Sequence, residues 1–411
     1  MTQITNEHLT KPVQVTGSIF NNQLLYFTST SLLSTDGHLI FLSERFGNPN
    51  IYLLDMETSK ETQLTFNKDG ILKSYVYFDG IPYKGFGKAS ISVHPQSGNI
   101  YFIQDRKICC VNLTGDVRIL NEYPVGQMTA FTHVSADGKY LCVPTTDARA
   151  LDGEARLSCK PAYDIDERIR TENLSSYLRI YETKTGKEIK KEKVQKAWIT
   201  HVQFSPINND LILYNNEWPS DCGIRRIWIW NGKNHIPLRT VGEGRSKEDW
   251  TCHEMWERNG SAIIYHGAYH NGPAYVGRVL PDGNGRIEIS FPTGWNRYGH
   301  FTEGKPGMLV TDGYYEEEIY NDKTNLVAKD PSINTDLKKS EISGEWICLL
   351  KVDWPNKSIK WIPICRHGSS WESQDSHPHP IFNHKTDKVF FTSDKGGFRS
   401  VYTLDVSNIN Y

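Results

Sequence analysis

Cysteines in metal-ribbon or redox spacing are missing from this 411-residue chain. There are eight, Cys109, Cys110, Cys142, Cys159, Cys222, Cys252, Cys348 and Cys365, and no two form a C-x-x-C pair. That argues against a zinc ribbon or a thioredoxin-type motif. Most lie in apolar runs that read as strands, so buried thiols and a reducing compartment are expected. An excess of positive charge is missing too. With 46 Lys and Arg against 48 Asp and Glu, the net charge is −2. No basic field exists to collect phosphates, and nucleic acid is not the expected partner. No run approaches ~18 uninterrupted apolar residues, so no membrane-spanning helix is expected. The opening MTQITNEHLTKPVQ lacks the charged-then-apolar pattern of a signal peptide. The expected location is cytoplasmic or periplasmic. There is no G-x-S-x-G elbow and no glycine-rich phosphate loop. H-E-x-x-H is absent as well, because His253-Glu254 runs on into Met255-Trp256-Glu257. No carboxylate pair stands out for a glycosidase. Nothing in the sequence sets an oligomeric state.

Aromatic residues, by contrast, are abundant: 12% of the chain, with 11 Trp and 21 Tyr. Such side chains fit pleated surfaces and favour β-structure. Flat rings also suit the faces of sugars. Long helical periodicity is nearly absent, and a repeat takes its place. One copy runs from the turn Ser34-Thr35-Asp36-Gly37 through HLIFLSE and FGNPN to IYLLDMETSKETQLT. Further copies begin at His94, Ser135, Ser205, Arg258 and Gly304, and the last reads HKTDKVFFTSD, KGGFR, SVYTLDVSN from His384. The starts lie roughly 40 to 80 residues apart, the span of a four-stranded blade with or without an insertion. Each copy alternates apolar and polar residues, with Asp-Gly, Ser-Gly or Asn-Gly at the turns. The expected fold is all-β, a seven-bladed β-propeller forming a single domain over 1–411. Insertions are expected near 150–175 and 320–340, the first with a short helix around Asp164–Asn173. The rival is a β-sandwich pair or jelly roll, but a closed ring removes edge strands. VQVT, from Val13, is the candidate for the strand that closes it.

The sharpest local feature is Gln374-Asp375-Ser376-His377-Pro378-His379-Pro380. Each proline pushes the histidine before it towards an extended backbone. In an extended segment, residues two apart face the same way. His377 and His379 would then aim two imidazoles at one point, with Gln374 near enough to join them as a metal ligand. The competing reading is a histidine pair fixed by backbone hydrogen bonds at a strand entrance. His133, His201, His253 and His300 each stand just before the expected first strand of a successive blade. Any one of them reads as a packed structural residue. Several converging would line a polar, metal-capable pocket. In GIRRIWIWNG, Arg225 and Arg226 would face opposite ways on a strand. One of them, Arg226, is the candidate to clamp a carboxylate, and Arg225 the candidate for solvent.

TCHEMWERNGSAIIY, HGSSWESQDSHPHPIFN and KVFFTSDKGGFRSVYTLDV resemble the oligogalacturonate lyases, seven-bladed propeller polysaccharide lyases. AWITHVQFSP, RRIWIWNGKN and the blade from Asp36 to Thr65 are similar to the family as well, so the resemblance runs along most of the chain. It implies a divalent metal, manganese, held by His300, Gln374, His377 and His379. It implies His253 as the base and Arg226 as its assistant, with His201, Asn216 and Trp371 as substrate contacts. The implied substrate is a uronate oligosaccharide, cleaved by β-elimination. Departures exist. Asn216 and Ser220 stand where the family has histidines, and the stretch Tyr26–Ser34 lacks expected basic residues. The sugar could therefore differ, as in a glucuronate-containing linkage. A non-catalytic scaffold resembling TolB-type propellers is the rival of another class, but a scaffold has no need to aim two imidazoles inward.

Overall fold

The computed structural model describes residues 10–17, 19–69, 72–73, 85–151, 168–217, 225–239, 249–269, 273–316 and 343–409. The fold is all-β, a seven-bladed β-propeller, as the repeats predict. Two compact units are distinguished by their internal packing. One comprises Thr28–Ser246 and Pro281–Asn284; the other comprises Met1–Phe27, Lys247–Leu280 and Gly285–Tyr411. No described helix is long and apolar enough to cross a membrane.

The first unit carries blades one to four. Blade one uses His38–Ser43, Asn50–Asp55 and Glu61–Gln63, and its first strand is buried on both faces, with Leu39, Ile40, Phe41 and Leu42 all in the core. Blade two contains Phe86–His94, Asn99–Gln104, Lys107–Val111 and Val117–Glu122. In it Cys109 and Cys110 alternate faces and both are buried free thiols. Cys142, Cys348 and Cys365 are likewise buried and unpaired. Blade three is built on Tyr140–Asp147, Ser175–Glu182 and Glu188–Gln195, and blade four on Val202–Phe204, Ile212–Asn215, Ile227–Trp230 and His235–Pro237. One apolar cluster joins Tyr101 and Ile103 to Leu141 and Tyr181, and another joins Cys142 and Ile180 to Phe204 and Trp230. Adjacent blades in this unit thus share their cores. Of the first expected insertion only 168–171 is described as helix, with Arg168 paired to Glu172 one turn on. The second, with its segment 322–340, lies outside the described residues.

The second unit carries blades five to seven. Their strands are Asp249–Trp256, Ile263–Tyr269, Ala274–Val279 and Ile287–Ser290; then Trp295–Glu303, Met308–Tyr315, Gly344–Asp353 and Ser358–Cys365; then Ile381–Phe382, Lys388–Ser393 and Ser400–Asp405. The missing strand of the last blade is Val13–Gln14, where Val13 pairs with Thr403 and Gln14 with Tyr402. VQVT therefore completes the blade as expected. Trp361, fully buried, stacks on Trp295 at 4.5 Å between centroids and meets Phe291 edge-on. Their cluster takes in Ile264 and Val276 of blade five, so the indoles join blades five and six. A second cluster joins Val310 and Ile347 to Phe382, Val389 and Phe391, linking blades six and seven. Truncating Trp361 to Ala would cost about 3–5 kcal/mol.

The first strands are not regular. In blade five the pairing register slips between Cys252 and Met255, and in blade six between Tyr298 and Phe301. A bulge of this kind places extra residues on one strand and re-aims their side chains. Histidines occupy both bulges.

Candidate active site

His253 and His300 lie inside the first strands of blades five and six, at the bulges, and not ahead of those strands as the sequence suggests. The reason is that the bulged strands run on past the register slip, which the sequence pattern does not show. His253 has φ +45°, the left-handed region, a costly conformation for a residue with a branched-off ring. His379 shares that φ of +45°. The extended backbone expected there is not formed. Instead the 3-10 turn Gln374–Ser376 leads into His377, and the chain twists at His379 before Ile381–Phe382. The side chain of Gln374 lies outside the described residues.

The convergence nonetheless occurs. His300, His377 and His379 offer ligand nitrogens that all lie within 4.8 Å of one another. The ring of His300 is 3.9 Å from that of His379 and 5.5 Å from that of His377, centroid to centroid. His300 is 3% exposed, so its ring orientation is fixed by packing. Asp312, on the next strand and fully buried, sets that orientation. One carboxylate oxygen accepts the backbone N–H groups of Gly299 and His300, at 2.6 and 2.9 Å. The other faces His300 Nδ1 at 3.3 Å. A carboxylate on Nδ1 leaves Nε2 to ligate, the usual support of a metal-binding imidazole. Burial pushes the Asp312 carboxyl above its ordinary value, although backbone N–H groups and the nearby His367 and His377 oppose that rise. Three imidazoles with one carboxylate behind them form a donor set that fits a divalent transition metal.

His253 stands beside this cluster. Its ring is 4.5 Å from that of His300 and 4.9 Å from that of His266. Its Nδ1 lies 2.7 Å from Nε2 of His266, a buried residue of the second strand. Phe27 meets His253 edge-on at 5.2 Å, and Tyr26 meets His379 edge-on at 5.1 Å. Trp371 lies 4.3 Å from His377, ring to ring, with φ +58° and partial exposure. It therefore flanks the metal-capable cluster.

The remaining candidates belong to the other unit. Arg226 donates to Glu217 at 3.1 Å, a partner not foreseen from the sequence. Glu217 also accepts from the Thr200 hydroxyl and the Asn215 amide, at 2.8 and 2.7 Å. Burial opposes the charge of Glu217, but Arg226 and His201 outweigh it and hold the carboxyl below its ordinary value. His201 packs edge-on against Phe131 at 4.6 Å. Asn216 is buried, and its Oδ1 has no hydrogen-bond partner among the described residues. Ser220 lies outside the described residues. Arg225 and Arg226 precede the strand Ile227–Trp230 and do not lie on it. Arg225, expected to face solvent, is half-buried, and its backbone oxygen accepts the Trp228 indole N–H. His133 is structural: its Nδ1 accepts the backbone N–H of Phe204 at 3.1 Å.

Five residues of this neighbourhood escape sequence reasoning. Asp312 hides in an Asp-Gly pair, which signals a turn but here stands mid-strand. Gly313 is present because a Cβ there would meet the Trp361 ring at 2.8 Å. His266, Tyr26 and Phe27 lie in plain apolar runs and carry no local motif.

No protein-family model matches the chain. The oligogalacturonate lyase of Dickeya dadantii is 26% identical to it over 393 residues, 91% of this chain and 87% of the relative. The oligogalacturonide lyase of Pectobacterium atrosepticum is 24% identical over 392 residues, 90% and 87% of the two chains. Among solved structures, an oligogalacturonate lyase in complex with manganese matches with a TM-score of 0.74 at 19% identity. It covers 96% of this chain and 93% of its own. The oligogalacturonate lyase of Vibrio parahaemolyticus also gives a TM-score of 0.74 at 19% identity, covering 99% and 96%.

Proposed function

The chain is a relative of the oligogalacturonate lyases over nearly its whole length, and on that premise we propose that it is a metal-dependent lyase of uronate oligosaccharides. The observation that carries the reading is the convergence of His300, His377 and His379, with His253 against them. The reaction is β-elimination: a proton leaves C5 of a uronic acid, the bond from C4 to the glycosidic oxygen breaks, and a 4,5-unsaturated sugar results.

The three imidazoles, with Gln374 as the fourth candidate, would hold the cation, and manganese is the ion suggested by the solved relative. When bound, it would stabilise negative charge developing on the uronate carboxylate. Neutral imidazoles suit that task because they leave the ion's positive charge uncancelled, where carboxylate ligands would not. Asp312 holds His300 in place for it. His253 accepts the C5 proton, as a neutral imidazole with a ring nitrogen lone pair can do. Arg226 is the candidate to pair with a carboxylate of the substrate, its guanidinium being set by Glu217. Trp371, His201 and Asn216 are the candidate substrate contacts.

Absorbance near ~235 nm, where a C=C conjugated to a carboxylate absorbs, tests the reading with oligogalacturonides and Mn²⁺, with and without chelator. A rise abolished by chelator supports it. Asn216, standing where the family has a histidine, favours a second reading in which the uronate is glucuronate. A metal-binding protein silent on oligogalacturonides but active on glucuronate polymers would establish that alternative. A protein that binds no metal would overturn both.

A further inference from the structure

His253 should not be able to reach His266. In the sheet of blade five, Cys252 lies directly across from His266, so those two side chains share a face. Side chains alternate along a strand, and the residue after Cys252 belongs on the opposite face. The bulge between Cys252 and Met255, with His253 at φ +45°, turns its ring back to the face of His266. The two imidazoles then meet at 2.7 Å, Nδ1 to Nε2.

That contact has the length of a hydrogen bond, and Cys252 also lies close by. Two nitrogens on one tetrahedral ion, with bonds of about 2.0–2.1 Å, stand about 3.3 Å apart. A separation of 2.7 Å instead fits one donor facing one acceptor. Blade six carries the same device. His300, at its own bulge, is met at Nδ1 by Asp312 of the second strand. In both blades a first-strand histidine is held through Nδ1 by a buried second-strand side chain, which leaves Nε2 for chemistry.

We propose that His266 is the positioning residue of His253, fixing it as the Nδ1–H tautomer so that Nε2 presents its lone pair. This rests on the reading of His253 as the base. One proton lies between the two rings. Were it on His266 Nε2, His253 would carry its own proton on Nε2 and have nothing there to accept another. With it on His253 Nδ1, the cycle balances. Nε2 takes the C5 proton, and the C5–H electron pair becomes the C4=C5 bond. The C4–O bond breaks, and its electrons go to the leaving oxygen, which is protonated from solvent. The imidazolium keeps its Nδ1–H on His266, whose lone pair steadies the new positive charge. His266 packs edge-on against Phe301 at 5.8 Å, which prevents the ring from swinging away.

The test uses the full chain with Mn²⁺ and the variants His266→Phe and His266→Gln. Phe keeps the bulk of the ring and has no acceptor, whereas the Gln amide oxygen can accept Nδ1–H. Expected are a kcat roughly 10- to 100-fold lower for His266→Phe, and recovery of most of that loss by His266→Gln. KM and the Mn²⁺ dissociation constant, measured by calorimetry, stay within about twofold in both, since neither ligand nor substrate contact is removed. Nitrogen-15 NMR of the wild-type imidazoles reads the tautomer without any turnover. Nδ1–H on His253 supports the proposal. Nε2–H overturns it, as does full activity of His266→Phe or a His266→Gln no better than it. Should His266→Phe fail to fold, the wild-type tautomer decides. Full turnover by His253→Ala would remove the base assignment instead, a failure that the tautomer measurement tells apart.

Discussion

An imidazole binds a cation only through a nitrogen without a proton, so whatever holds the other nitrogen decides whether the ligand is ready. For His300 that group is Asp312. Replacing Asp312 with Asn removes the charge and offers an amide that can turn its N–H side to the ring. Mn²⁺ affinity should fall roughly 10- to 100-fold, read by titration calorimetry or by the spectrum of free Mn²⁺. His253→Ala should behave oppositely. On the proposed reading, turnover drops by about 10²–10⁴ while Mn²⁺ affinity stays near wild type, because a base is lost and a ligand is not. The two profiles separate holding the metal from moving the proton. At this scale the sequence is half legible. His377 and His379 announce themselves through the prolines that follow each, though the route by which they converge is a left-handed twist at His379 and not an extended run. Asp312 is silent because its neighbour Gly313 exists for the indole of Trp361, and together they imitate a turn.

The inner strands are legible as short apolar runs between turns, because both of their faces are buried, and that accounts for every blade being found from its repeats. Bulges are not legible. They are defined by the partner strand, and nothing within a single strand records how many residues oppose one. The bulge of blade six has a specific vulnerability at Gly299, where a Cβ would stand 2.6 Å from the Asp312 carboxylate. That carboxylate already accepts two backbone N–H groups and cannot retreat without losing them. Gly299→Ala should therefore weaken Mn²⁺ binding together with stability, the latter by about 1–3 kcal/mol as overpacking does. Calorimetry and urea unfolding on the same sample check both. An alanine variant with wild-type Mn²⁺ affinity would show that the bulge tolerates the shift.

Whole-molecule stability carries a pH signature at His133. Burial lowers its pKa to about 4, and its Nδ1 must stay unprotonated to accept the Phe204 N–H. The unfolded ring takes up a proton near ~6.5, so between that pH and about 4 the unfolded state binds more protons. The contribution is therefore complete above ~6.5 and is lost as pH falls towards 4, up to roughly 3 kcal/mol. Urea midpoints measured from pH 7 to 4 should show the fall, and His133→Gln should flatten it. The fold was readable at this scale from seven repeats of one unit. The pairing of Arg226 with Glu217 was not, since residues nine apart in sequence leave no periodic trace.

Val13–Gln14 lies 386 residues in sequence from its hydrogen-bond partner Ser400, through Gln14 Nε2. A ribosome therefore makes this strand long before the rest of its sheet. Until the final segment emerges, the early strand has nothing to pair with, and His377 and His379 do not yet exist to meet His300. A chain stalled short of Ser400 would lack the strand that Val13–Gln14 pairs with, and such contacts of long sequence separation are also the slow ones to form.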